Sequence, residues 1–162
     1  MHALILALHE EDKNSYQVAE SLKRSGHNVI QSQKFTQAIS LLQRQHVDLI
    51  ISDVHLENGG NVFDFLRWVK KNPSTKDTLF VLFSCQPTLK AKYFEDGLRT
   101  TARMLGAAMY ITMEIFNSDE FRKTIDSLLP AGDQATALST KGSGEGYDSK
   151  DPGHNGTRDA AK

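Results

Sequence analysis

Asp53 closes an apolar run in "DLIISDVHL" (48–56), the pattern of a buried strand that leaves its sheet on an acid. His9, Glu10 and Glu11 follow the apolar run "ALILAL" (3–8) in the same way, and Ser84 ends "TLFVLFS" (78–84). Acids at the ends of two adjacent strands suit a hard cation such as Mg²⁺, which takes oxygen ligands and keeps several waters. A carboxylate beside such a cation is competent to attack phosphorus and form an aspartyl phosphate. The cation then neutralises charge on the equatorial oxygens, and a hydroxyl at Ser84 donates to one of them. Each residue also has a plainer role. Asp53 could cap a turn, and Glu10 and Glu11 could be a solvated helix start favoured by the helix dipole.

The elements that would position these residues alternate along 1–130. Strand patterns occupy 3–8, 28–32, 48–52, 78–84 and 108–112. Between them, Val18, Ala19 and Leu22 share helical spacing, with Asn14 as the expected N-cap and Gly26 as the stop. Ala38, Ile39 and Leu42 form a second helical face. Val62, Phe65, Leu66 and Val69 form a third, which ends before Pro73. Phe121, Ile125 and Leu128 mark a last helix over 118–129, capped by Ser118 or Asp119. Five strand–helix pairs predict an open parallel sheet with helices on both faces. In such sheets, sites form at strand C-termini where the strand order reverses.

Composition narrows the function classes. The formal net charge is −1 and no Lys/Arg cluster stands out, so neither nucleic acid nor an anionic membrane is an expected partner. Cys85 is the only cysteine, which excludes an intramolecular disulfide and a cysteine-based zinc site. The apolar run at 3–8 is too short for a signal peptide or a spanning helix, so a cytoplasmic protein is expected. Residues 131–162 hold six of the eleven glycines and almost no large apolar residue. Such a segment cannot bury enough surface to offset its chain entropy, and a disordered polar tail is expected there. The turn "HEEDKNS" after the first strand has no glycine, which excludes a Rossmann turn and a P-loop and disfavours a flavin phosphate site.

Taken in order, these segments resemble the receiver domain of two-component response regulators, of the chemotaxis-regulator type, over residues 3–130. "DLIISDVHL" is similar to the strand with the phospho-acceptor Asp, which implies that role for Asp53. "LALHEED" is similar to the strand ending in the acidic pair, placing that pair at His9 and Glu10. "VLFSC" is similar to the strand ending in a Thr or Ser, here Ser84. "GAAMYITMEIF" is similar to the segment with the aromatic switch residue, which implies Tyr110. The resemblance implies a flavodoxin-like doubly wound (βα)5 domain with Mg²⁺ held by Glu10, Asp53 and the backbone carbonyl of His55. It also implies a sensor histidine kinase or phosphotransfer protein upstream and a protein target downstream.

The departures are specific. His9 stands at the first acid, Met113 at the family's Lys, and Glu114 at its cis-Pro. Methionine offers neither charge nor donor. About seven extra residues lie between Ser84 and Gly106, on the side where receivers meet partners. His9 has three readings: a neutral polar replacement, a pH-sensitive cation standing in for the Lys, or a metal ligand. The last would join Glu10, Asp53 and His55 in a set better suited to Zn²⁺ or Mn²⁺. Tyr110 is either a switch or a fixed core-edge aromatic, Cys85 a packing residue, and Trp68 a rim residue. Leu89 and Tyr93 fall away from the face carrying Phe94, Leu98 and Leu105, as an exposed patch or because the helix starts later.

The expected function is a divergent single-domain receiver, not an enzyme beyond its own phosphorylation and dephosphorylation on Asp53. The alternative is a pseudo-receiver that binds partners without phosphorylation. A haloacid-dehalogenase-like phosphatase would want a second Asp at position 55, which is His.

Overall fold

Continuous apolar strands need cover on both faces, and the chain provides it by alternating strand and helix. The structure is a computed structural model that describes residues 2–10, 12–54 and 60–130. The elements run β1 (Leu4–Leu8), α1 (Asp12–Arg24), β2 (Asn28–Ser32), α2 (Phe35–Leu42), β3 (Leu49–Asp53), α3 (Val62–Lys71), β4 (Leu79–Cys85), α4 (Leu89–Met104), β5 (Met109–Met113) and α5 (Ser118–Leu128). The sheet is parallel, in the order β2-β1-β3-β4-β5, a flavodoxin-like α/β fold. The expected disordered tail at 131–162 lies outside the described residues. No helix among the described residues is long and apolar enough to cross a membrane.

Strand alternation sorts the core into two layers. Leu6, Leu8, Ile50, Phe80, Leu82 and Tyr110 point toward α2, α3 and α4. Ile5, Ala7, Leu49, Ile51, Val81, Phe83 and Met113 point toward α1 and α5, where Val18, Leu22, Phe121 and Ile125 meet them. The central strands are buried on both sides, as a parallel sheet between helical layers requires.

The helix boundaries follow local chemistry. Asn61 caps α3 by accepting from the Phe63 N–H at 2.8 Å, and Thr88 caps α4 by accepting from the Ala91 N–H at 3.1 Å. Two expected caps are corrected. Helix α1 begins at Asp12, so Asn14 lies inside the first turn rather than ahead of it. An acid there suits the positive end of the helix dipole. In α5 the cap is Asn117, whose Oδ1 accepts from the Asp119 and Glu120 N–H groups at 3.1 Å. The Ser118 hydroxyl instead meets Ser21 of α1 at 2.6 Å, tying the two helices together. Gly26 stops α1 as expected, with φ +86 in the left-handed region that glycine tolerates.

Candidate functional site

The strand order reverses between β1 and β3, so the crevice above their C-terminal ends is the natural site. Asp53 is the last residue of β3, one position beyond the expected strand end, and its ladder partner on β4 is Phe83. It is half-buried there. Because Leu8 pairs with Ser52, His9 and Asp53 are the next neighbours along the β1–β3 ladder. Alternation puts both on the α1/α5 side, above Ala7 and Ile51. Glu10, half-buried, follows at the end of β1. Glu11 and His55 lie outside the described residues, so the expected His55 carbonyl ligand does too.

His9 is only 1 % exposed, and its ring lies edge-on to Phe83 at 6.1 Å between centroids. Reaching Phe83 on β4 from β1 carries the imidazole across the end of β3. Burial pushes the imidazole down to about 4, so it is neutral near pH 7. This overturns the reading of His9 as a cation replacing the lost Lys. The Nε2 atom is buried with no hydrogen-bond partner. Nor is His9 gathered into a metal cluster: among the described residues, no group of three or more His, Cys, Asp or Glu side chains is placed to hold a metal ion. The plain reading, a neutral replacement for an acid, is the one the packing supports.

Two carboxylates at neighbouring strand ends, with water filling the other positions, match the way Mg²⁺ is commonly bound. Glu10 and Asp53 are the described residues that would hold such an ion, whereas His9, Glu10 and Asp53 are not gathered into a three-ligand group. Met113, where a Lys was absent, is 6 % exposed and packed in the apolar layer. Its side chain adds hydrophobic contact on the side where charge would be wanted.

The other side of the crevice is polar. Ser84 ends β4 almost fully buried, at 3 % exposure, and its hydroxyl hydrogen-bonds the phenol of Tyr110. Tyr110 points inward and is also buried. Burial, assisted by the charges of Glu95 and Asp53, raises its phenol above the ordinary tyrosine value; Arg99 and the Ser84 hydrogen bond act in the opposite direction. The Tyr110 phenol is thus in reach of both the Ser84 hydroxyl and the charge of Asp53.

Sequence reasoning missed what holds Tyr110. Arg99 of α4 donates to the Tyr110 carbonyl at 2.8 Å and lays its guanidinium 4.9 Å from the ring centroid. It also donates to Glu95 at 2.5 Å, and Glu95 accepts from the Thr112 hydroxyl at 2.7 Å. The Thr112 hydrogen bond is the main reason the Glu95 carboxyl is held below its usual range; burial opposes it, and Arg99 and Lys92 assist. Glu114, at the cis-Pro position, pairs with Lys92 of α4 at 2.5 Å. The i,i+4 spacing of Glu95 and Arg99 was the available signal. The partners on β5 were not readable, because they depend on how α4 crosses the sheet. Gln86, just past Ser84, holds φ +53, the only positive φ among the described non-glycine residues. Its N–H is fixed by the Met113 carbonyl at 2.8 Å.

Trp68 is partly buried and stacks on Phe65, 6.4 Å between centroids, a rim residue as expected. Cys85 is partly buried against the α1/α5 layer, a packing position as expected. Helix α4 does begin at Leu89, and Leu89 and Tyr93 are exposed at 86 % and 83 %. Phe94 was expected on the inner face but is 52 % exposed, because only Ala102 of α4 is fully buried.

No protein-family model and no curated relative matches the sequence. Solved structures do. The chemotaxis response regulator CheY4 of Vibrio cholerae is similar with a TM-score of 0.66 at 22% identity, covering 80% of this chain and 100% of that one. A response regulator from Thermotoga maritima gives 0.66 at 21% identity, over 81% and 100%. The receiver domain of a signal transduction histidine kinase from Syntrophus aciditrophicus gives 0.65 at 18% identity, over 85% and 97%. The chain has the fold of the response-regulator receiver domains, with a sequence far diverged from them.

Proposed function

We propose that the chain is a single-domain receiver protein in a two-component phosphorelay, which accepts a phosphoryl group on Asp53 and changes a protein-binding surface in response. The observation that supports this best is the placement of Asp53 and Ser84 at the C-terminal ends of the neighbouring strands β3 and β4, with Tyr110 on the adjacent β5. In this reading a carboxylate oxygen of Asp53 attacks the phosphorus of a phosphodonor, and the donor's leaving group departs on the opposite side. Mg²⁺, held by Glu10, Asp53 and the backbone carbonyl of His55, would supply charge neutralisation at the phosphoryl oxygens. The Ser84 hydroxyl donates to a phosphoryl oxygen, and in doing so leaves Tyr110. Tyr110 then keeps Arg99 and its core packing but not the Ser84 hydrogen bond, so α4 and β5 are the elements that would respond. The donors in such a system are sensor histidine kinases or phosphotransfer proteins, and the output is a downstream protein in the cytoplasm. No substrate turnover is expected beyond formation and hydrolysis of the Asp53 phosphate. The test is the intact mass after incubation with a small phosphodonor and Mg²⁺.

A second reading, a pseudo-receiver that binds partners without phosphorylation, is favoured by a specific observation. Of the described residues on the α1/α5 side of the crevice, Met113 is buried and His9 is neutral, so neither offers a phosphoryl dianion a cation. The same incubation separates the two, because a pseudo-receiver gains no mass while binding its partner equally well with or without the donor.

A further inference from the structure

A helix that packs on a sheet should turn its polar side to water, yet α4 also exposes Leu89, Tyr93, Phe94 and Met104. At 100° per residue, Tyr93 points directly away from Ala102, the fully buried residue of the helix. Thr100, Gly97 and Met104 share that outward face with Tyr93, and all four are exposed, Tyr93 at 83 % and Met104 at 81 %. No neighbour inside the protomer requires glycine at Gly97, because a Cβ there would meet nothing within 4 Å. Glycine in a helix interior nonetheless destabilises it relative to alanine. A gap flanked by large apolar side chains is what a second helix needs in order to approach.

The charges on this face specify which helix. Lys92, Glu95 and Arg99 are satisfied within the protomer. Asp96 and Arg103 are exposed, and among the described residues neither has an ion-pair partner. They lie about 20° apart around the helix, on one flank of the apolar face and roughly two turns apart along it. Two helices related by a two-fold axis that runs between them and perpendicular to both are antiparallel and set that flank against itself. With the axis level with residues 99 and 100, Asp96 of each copy meets Arg103 of the other. Met104 then comes level with Tyr93 and Gly97 of the second copy and fills the gap. Reciprocal contact of this kind is the signature of an isologous interface.

We propose that the outward face of α4 joins two copies of this chain, antiparallel, through Met104–Gly97 packing and paired Asp96–Arg103 bridges. The inference rests on α4 alone and holds whether or not Asp53 is phosphorylated. The face is one helix wide, smaller than the ~800 Å² per partner of a standard interface, so self-association in the micromolar range is expected.

Sedimentation equilibrium of the full chain, from about 1 to 500 µM, should show the average mass rising from one chain toward two. Asp96→Arg alone and Arg103→Asp alone should each weaken association at least tenfold by setting like charges together. Mixing the two variants should restore it, since both bridges are re-formed in the mixed pair. All substituted positions are exposed, and circular dichroism melts matching the parent would show that each variant is folded. A parent that stays monomeric throughout overturns the proposal. So do single variants that associate like the parent, and a mixture that fails to recover.

Discussion

The two sides of the crevice at the strand ends differ in chemistry. Toward α1 and α5, His9 and Met113 pack with Phe83 in an apolar setting, with Asp53 as the acid at the end of β3. Toward α4, Ser84, Tyr110 and Thr112 are tied to Arg99 and Glu95 by hydrogen bonds and a stacked guanidinium. The first side is mostly apolar, while the second is joined by hydrogen bonds across α4 and β5. Under the proposed function, the difference teaches that the group that would carry a phosphate and the network that would respond to it sit in unlike surroundings. Here the part that would report the event is built in detail, and the part that would hold the phosphate is reduced to Asp53, Glu10 and Ser84.

The largest expected effect tests how apolar the acceptor side is. Burial pushes the folded His9 imidazole down to about 4, whereas in the unfolded chain it keeps the ordinary histidine value of 6.5. Below 6.5 the unfolded chain therefore binds a proton that the folded chain refuses, and stability falls as pH falls toward 4. Above that window His9 contributes no slope. The full loss is about 3 kcal/mol. Urea unfolding of the parent and His9→Asn across pH 4 to 7 should show a steeper fall in the parent, and equal slopes would sink the account of His9.

Restoring a cation sharpens the comparison further. Met113→Lys should raise the yield or lifetime of the Asp53 phosphate about tenfold, equivalent to about 1.4 kcal/mol of added phosphate stabilisation. It should cost about 1 to 3 kcal/mol of fold stability, because an ammonium replaces a buried thioether. A stable variant with unchanged phosphate lifetime would mean that Met113 does not face the acceptor.

On the responding side, Arg99→Ala removes the hydrogen bond to the Tyr110 carbonyl and the stacked guanidinium. A loss of about 1 to 2 kcal/mol is expected, with faster amide exchange in β5. Protection of β5 equal to that of the parent would show that the network is ornamental. Smallest of all, Lys92→Ala should change stability by less than ~0.5 kcal/mol, because the Lys92–Glu114 pair is largely exposed.

Much of the fold was readable in the sequence, because parallel strands covered on both faces must be continuous apolar runs. "ALILAL" and "DLIIS" have no other good solution, and the helices between them show their inner faces. The caps were missed by one or two residues. A Ser, Asp or Asn near a helix start does not reveal which one turns its side chain inward, and Ser118 was taken by Ser21. Within the site, the strand-end positions of Glu10, Asp53 and Ser84 were legible, since each follows an apolar run. The state of His9 was not, because it depends on Phe83, supplied from β4 more than 70 residues away. The Arg99 network was equally hidden, since α4 meets β5 only after the sheet is built.

The most direct test of the central claim is the intact mass of the chain after incubation with acetyl phosphate and Mg²⁺, beside Asp53→Asn. The account expects a labile phosphoryl adduct on the parent that Asp53→Asn lacks and chelation of Mg²⁺ suppresses. No adduct on the parent, in a buffer where an ordinary receiver is labelled, would contradict phosphorylation at Asp53 and leave the fold as a partner-binding scaffold.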